Sequence, residues 1–142
     1  MKIYADTPAL IAWFHPADVF ARPVTDWCRE RTPEFIWNAL LRIELRHNLR
    51  RLSGKYAAPA WHAYRASETS RRLRLETHRL SELLEQGDEL SARHAQTFPA
   101  GTWDFVHVAA AQRVRAEAFI TCDAAQAELA RVAGLPQVHL FK

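Results

Sequence analysis

Short apolar runs alternate along the chain with longer amphipathic stretches, and several of the runs stop at an acidic residue. Ile3-Tyr4-Ala5 is the first, halted by Asp6, after which Thr7 and Pro8 read as the cap and first residue of a helix reaching Phe14. A second helix is expected over about 19–30. Phe35-Ile36-Trp37 reads as the next strand, followed by a helix over about 38–52. On that helix Leu41, Leu45, Leu49 and Leu52 recur at helical spacing and face a core, while Arg42, Arg46 and Arg50 project elsewhere. Residues 58–70 read as helix, Leu73 and Leu75 alternate with arginines as in a short strand, and 80–94 returns to helix. Thr102 reads as the cap of a nearly all-apolar helix over 103–114. Residues 118–121 then form a strand, 124–133 a helix closed by Gly134 and Pro136, and 138–141 a last strand.

Strands that are continuously apolar, rather than alternating, and that are separated by helices belong to parallel sheets covered on both faces. The chain is therefore expected to be one α/β domain spanning 1–142, since 142 residues suit one core better than two. A 49% apolar content with 25% charged residues fits a packed domain and excludes a disordered one. No apolar run is long enough to cross a bilayer, so no membrane association and a cytoplasmic location are expected. Cys28 and Cys122 are isolated and cannot form a structural zinc site. The scattered Gly54, Gly87, Gly101 and Gly134 supply no phosphate loop.

The net charge of +3 is unevenly distributed. Between Arg42 and Arg79 there are ten Lys or Arg residues against Glu44, Glu68 and Glu76, which suits a polyanionic partner or simply a solvated helix face. In a parallel sheet, sites lie beyond the carboxyl ends of the strands, where Asp6 and Asp123 fall. Either can also cap a helix, as can Asp104 in the first turn of its own helix. Glu44 lacks that explanation. Its neighbours at helical offsets are Leu40, Leu41, His47 and Asn48, so compensation must come from outside the helix, from a distant arginine or from a metal ion. Carboxylates gathered in one place repel, so some of the set are expected to hold their protons above the ordinary range.

The segments Tyr4-Ala5-Asp6-Thr7-Pro8-Ala9-Leu10, Ile43-Glu44-Leu45-Arg46-His47-Asn48-Leu49-Arg50-Arg51, Asp104-Phe105-Val106-His107-Val108-Ala109-Ala110-Ala111 and Phe119-Ile120-Thr121-Cys122-Asp123 occur in the order found in PIN domains. The chain resembles the VapC toxin branch of that family from Lys2 to about Leu140, faintly between Lys55 and Pro99. The resemblance implies a PIN-like α/β/α sandwich with a short parallel sheet of order 3-2-1-4-5, a helical insertion and a homodimer. It also implies a metal-dependent endoribonuclease that acts as the toxin of a type II toxin-antitoxin system and is held in check by a cognate antitoxin, a small DNA-binding protein.

Carried over to this sequence, the resemblance gives Asp6, Glu44, Asp104 and Asp123 as catalytic residues and ligands of Mg²⁺ or Mn²⁺. Thr7 and Thr121 would support them as hydroxyls; His107, one helical turn beyond Asp104, reads as a further supporting residue, and Arg46 and Arg50 of the basic stretch as RNA contacts. Hard oxygen donors suit these cations, and phosphodiester hydrolysis with metal needs no histidine base. His107 is then a packing or orienting residue, with a general-base role as the alternative. Pro8 replaces a small polar residue common in the family, and Trp103 is a bulky neighbour for Asp104; both bear on site shape. The alternative function is a catalytically weak or inactive PIN-like module that binds nucleic acid or protein. A phosphatase or receiver-like protein using Asp6 alone lacks its companion lysine.

Overall fold

The computed structural model describes residues 1–142 and carries five strands and seven helices. In chain order they are β1 (Lys2–Ala5), α1 (Thr7–Phe14), α2 (Ala21–Arg31), β2 (Glu34–Trp37), α3 (Ala39–Arg50), α4 (Ala57–Thr69), β3 (Leu73–Leu75), α5 (Leu80–His94), α6 (Thr102–Arg113), β4 (Ala118–Thr121), α7 (Ala124–Val132) and β5 (Val138–Leu140). All four strand pairings are parallel, as the apolar runs predict, and the sheet order is β3-β2-β1-β4-β5, as the family resemblance implies.

Given this order, right-handed crossovers decide which face each helix covers. The chain steps one way from β1 to β2 to β3, so right-handed connections place α1 to α4 on one face. It then jumps from β3 to the far side of β1 and continues to β5, which puts α5, α6 and α7 on the other face. The packing agrees: α1 contacts α2, α3 and α4, whereas α6 contacts α5 and α7. The reversal occurs between β1 and β4, and the crevice above such adjacent strands is where parallel α/β sheets place their sites.

The three central strands β1, β2 and β4 are buried on both faces and their runs are almost wholly apolar, whereas the edge strands β3 (Leu-Arg-Leu) and β5 (Val-His-Leu) are only partly buried. Ile3, Tyr4, Phe35, Ile36, Phe119 and Ile120 are at most 1% exposed. Each side chain of that size contributes about 1.5–3 kcal/mol on burial. From the helices, Leu41, Leu45 and Leu49 of α3 add the expected stripe.

At two helices, α1 and α6, the cap lies one residue earlier than the sequence reading placed it. Asp6, not Thr7, caps α1, its Oδ1 accepting from the Ala9 amide at 2.8 Å. Gly101, not Thr102, precedes α6, and Asp104 turns back so that its Oδ2 accepts from the Gly101 amide at 2.8 Å. In both cases a carboxylate takes a free amide proton near the positive end of the helix.

Candidate active site

The four carboxylates come from four separate stretches of chain and line one cavity of about 300 Å³, together with Thr7, Pro8, Trp103, His107 and Gln126. A larger open depression of about 530 Å³ between α5 and α6 mixes Glu82, Glu85 and Glu89 with Arg93 and Arg113, and Arg113 pairs with Glu82 at 2.8 Å. That pairing marks it as a solvated charged face, so the smaller cavity at the switch point is the candidate site.

Asp6 is fixed most firmly. It is 2% exposed, and its second oxygen accepts from the Thr121 hydroxyl at 2.5 Å and the Cys122 amide at 3.3 Å. Burial pushes its pKa up to about 6, against the lowering effect of the Thr121, Ala9 and Cys122 hydrogen bonds. The expected rise in a carboxylate pKa is thus present, but its cause is desolvation at a single residue rather than repulsion within the set.

Glu44 answers the question its sequence context raised. Its compensating partner is neither an arginine nor a residue of its own helix. Oε2 accepts from the Thr7 hydroxyl at 2.6 Å and lies 2.8 Å from Nε2 of the buried His107 on α6. Burial raises the Glu44 pKa, but the hydrogen bonds from His107 and from the Thr7 hydroxyl outweigh it and hold the group below the ordinary value. On the far side of the imidazole, Nδ1 lies 2.8 Å from the Tyr4 hydroxyl.

Asp123 caps α7, with Oδ1 accepting from the Gln126 amide at 2.8 Å, while its own amide donates to Thr121 Oγ1 at 2.9 Å. Glu44, Asp104 and Asp123 therefore each commit one oxygen to the protein and keep the other free of protein hydrogen bonds. This donor set has the right chemistry for a hard divalent cation. The side chains surround the cavity without closing on one point, and no three His, Cys, Asp or Glu side chains stand close enough to share an ion.

Arg46 and Arg50 line none of this cavity. Arg46 points to α4, donating from Nε to the Tyr64 hydroxyl at 2.5 Å and from Nη2 to both Glu68 oxygens at 3.1 Å. Arg50 is exposed and lies over the Trp61 ring, 5.2 Å from its centroid. Pro8 and Trp103, the two departures from the family pattern, are both exposed on the cavity wall, and Trp103 keeps half its surface accessible. Burial lifts the Cys122 thiol to about 12, helped by Asp6 and Asp18, which leaves it a poor nucleophile. Tyr4, Asn38 and Gln126 belong to the site's support, although the sequence reading assigned them no role there. Asn38 had one legible signal, its position just before a helix; the other two looked like strand and helix core.

The model of the PIN domain family matches residues 3–132, and the chain belongs to that family. Among solved structures, the fold is similar to that of Mycobacterium tuberculosis VapC20, described as a sarcin-ricin loop cleaving toxin, with TM-score 0.70 and 20% identity over 94% of this chain and 95% of that one. It is also similar to FitAcB from Neisseria gonorrhoeae, with TM-score 0.62 and 15% identity over 96% of each chain. No curated protein matches the sequence.

Proposed function

We propose that this chain is a metal-dependent endoribonuclease, a hydrolase of RNA phosphodiester bonds, and the toxin of a type II toxin-antitoxin pair. The observation that carries the reading is the convergence of Asp6, Glu44, Asp104 and Asp123 on one cavity at the sheet's switch point. Asp6, Asp104, Glu44 and Asp123 would hold Mg²⁺ or Mn²⁺, one ion or two. When bound, such an ion activates water and stabilises the leaving oxygen, which is chemistry that carboxylates alone do not supply.

The chain's own residues supply placement. Thr121 and the Ala9 and Cys122 amides hold Asp6 rigid, and Thr7 and His107 hold Glu44. The half-exposed Trp103 ring on the cavity wall offers a face on which a base can stack, an interaction worth about 1–3 kcal/mol. Arg50 and other exposed basic residues of the 42–79 stretch would draw the RNA backbone toward an acidic centre.

The same reading includes a cognate antitoxin, a homodimer and a cytoplasmic location. No helix is long and apolar enough to cross a membrane. An apolar groove of about 320 Å³ beside β3, with Ile43 62% and Leu80 58% exposed, supports the expectation that a partner chain covers part of this surface. A catalytically weak or inactive PIN-like module is the second reading. It draws on the fact that Asp6, Asp104 and Asp123 each already serve a backbone amide. Incubating the purified protein with a mixed RNA pool in Mg²⁺ or Mn²⁺, with and without chelator, separates the two: chelator-sensitive cutting is expected for the enzyme and no cutting for the module.

A further inference from the structure

We propose that Asn38, Tyr4 and His107 form a positioning chain that fixes the imidazole with its proton on Nε2 and so holds the Glu44 carboxylate in place at the cavity. The inference rests on Glu44 belonging to the site and concerns how that residue is kept there.

The argument is an inventory of protons. Asn38 caps α3, and its Oδ1 accepts from the Leu41 amide at 2.8 Å, so the amide orientation is set by the cap and Nδ2 is the atom facing Tyr4. Nδ2 can only donate, so the Tyr4 oxygen, 3.2 Å away, accepts from it. The Tyr4 side chain is wholly buried, and His107 Nδ1 at 2.8 Å is the sole acceptor available to its hydroxyl proton. Leaving a buried hydroxyl proton without an acceptor is costly, so Tyr4 donates and Nδ1 accepts.

A neutral imidazole whose Nδ1 accepts carries its proton on Nε2, and Nε2 faces Glu44 Oε2 at 2.8 Å. The chain starts at the cap of α3 and returns to α3 six residues later, after crossing β1 and α6. Donors from His107 and Thr7 converge on Oε2, which leaves Oε1 as the oxygen without a protein partner. Tyr4 and Asn38 thereby act on the site without lining its cavity. Partners behind a ligating carboxylate or imidazole are worth about tenfold to a hundredfold in metal affinity where they have been removed.

Two readouts test this on the full-length, RNA-free protein. The first is the ¹⁵N spectrum of the His107 imidazole in metal-free wild type, where a protonated Nε2 and an unprotonated Nδ1 are expected. The second is Mn²⁺ affinity across variants, alongside thermal melts. His107→Ala should weaken Mn²⁺ binding by about tenfold or more. His107→Gln, whose amide nitrogen can take the place of Nε2, should recover most of that loss. His107→Asn places its nitrogen nearer Nδ1, toward Tyr4, and should recover little.

A proton on Nδ1 would overturn the proposal, and so would equal rescue by Asn and Gln, which would make His107 a packing residue. If the Gln variant does not fold, the wild-type spectrum still decides the orientation. Neither readout needs RNA, so failure of the wild type to cleave would count against the ribonuclease reading without deciding this one.

Discussion

The Thr121 hydroxyl donates to Asp6 Oδ2 across 2.5 Å, joining the last residue of β4 to the first residue beyond β1. The same hydroxyl oxygen accepts from the Asp123 amide at 2.9 Å. One side chain, 0% exposed, therefore ties together two of the four acidic positions at the point where the sheet's winding reverses. Thr121→Val keeps the shape and removes both bonds, leaving Asp6 Oδ2 with only the 3.3 Å Cys122 contact. We expect it to lower unfolding stability by about 2 kcal/mol, the cost of leaving buried polar groups unpaired, whereas Thr121→Ser stays within about 1 kcal/mol of the parent. Denaturant unfolding of the three proteins measures both; equal stability of the Val and Ser variants would contradict the role assigned to the hydroxyl.

The raised pKa of Asp6 gives stability a defined pH dependence. Burial holds the folded group's pKa up at about 6, against an ordinary value of 3.8, so the folded state binds the extra proton between those values. Stability from this source is fully present below about 3.8 and is lost as pH rises through about 6. The loss is at most about 3 kcal/mol, since one unit is worth 1.36 kcal/mol. Asp6→Asn cannot titrate, so in chelator its stability relative to the parent should rise between pH 4 and pH 7 and level off above that. Divalent metal should narrow the gap by binding the folded parent. Melts of both proteins across that range check the slope, and a gap that does not change with pH would mean that Asp6 is not the strained group.

The basic residues of α3 should separate into two kinds. Arg46 is engaged by Tyr64 and Glu68, with its side chain 26% exposed and that of Glu68 18% exposed. Arg46→Ala should cost about 1–2 kcal/mol of stability and leave the salt dependence of RNA binding unchanged. Arg50→Ala should do the reverse, reducing the slope of log affinity against log salt by about one and barely altering the melt. A log-log salt titration of each variant decides; a reduced slope for Arg46→Ala would restore it as an RNA contact.

What could be read from the sequence followed how local each feature is. The central strands announced themselves because burial on both faces makes their runs almost wholly apolar, and the edge strand β3 was visible as Leu73 and Leu75 alternating with arginines. Of the four acidic positions only Glu44 stood out by itself; Asp6, Asp104 and Asp123 each also read as helix-start residues, and the resemblance is what joined the four into one candidate set. Cap positions were off by one because Thr7 and Thr102 are also good caps, and only the fold shows Thr7 spending its hydroxyl on Glu44, 37 residues away. The partners that matter most are distant in sequence. His107 reaches Glu44 across 63 residues, and Tyr4 reaches His107 across 103. Glu44 displayed an unmet need in the sequence, but what met it was set by the packing of α6 against β1. The partners of Arg46 were hidden for a similar reason: Glu68 and Tyr64 lie on α4, and nothing along α3 reveals that they face it.

The central claim is that the converging carboxylates form a metal-dependent ribonuclease centre, and single-turnover RNA cleavage by wild type, Asp6→Asn and Asp104→Asn in Mn²⁺ tests it most directly. Both substitutions keep side-chain volume while removing the charge a cation needs. The account predicts chelator-sensitive cutting by the wild type and a loss of about a hundredfold or more in each variant, with far-ultraviolet circular dichroism spectra unchanged. Undiminished cutting by both folded variants would contradict it, leaving Asp6 and Asp104 as helix caps and placing any catalytic centre elsewhere on the chain.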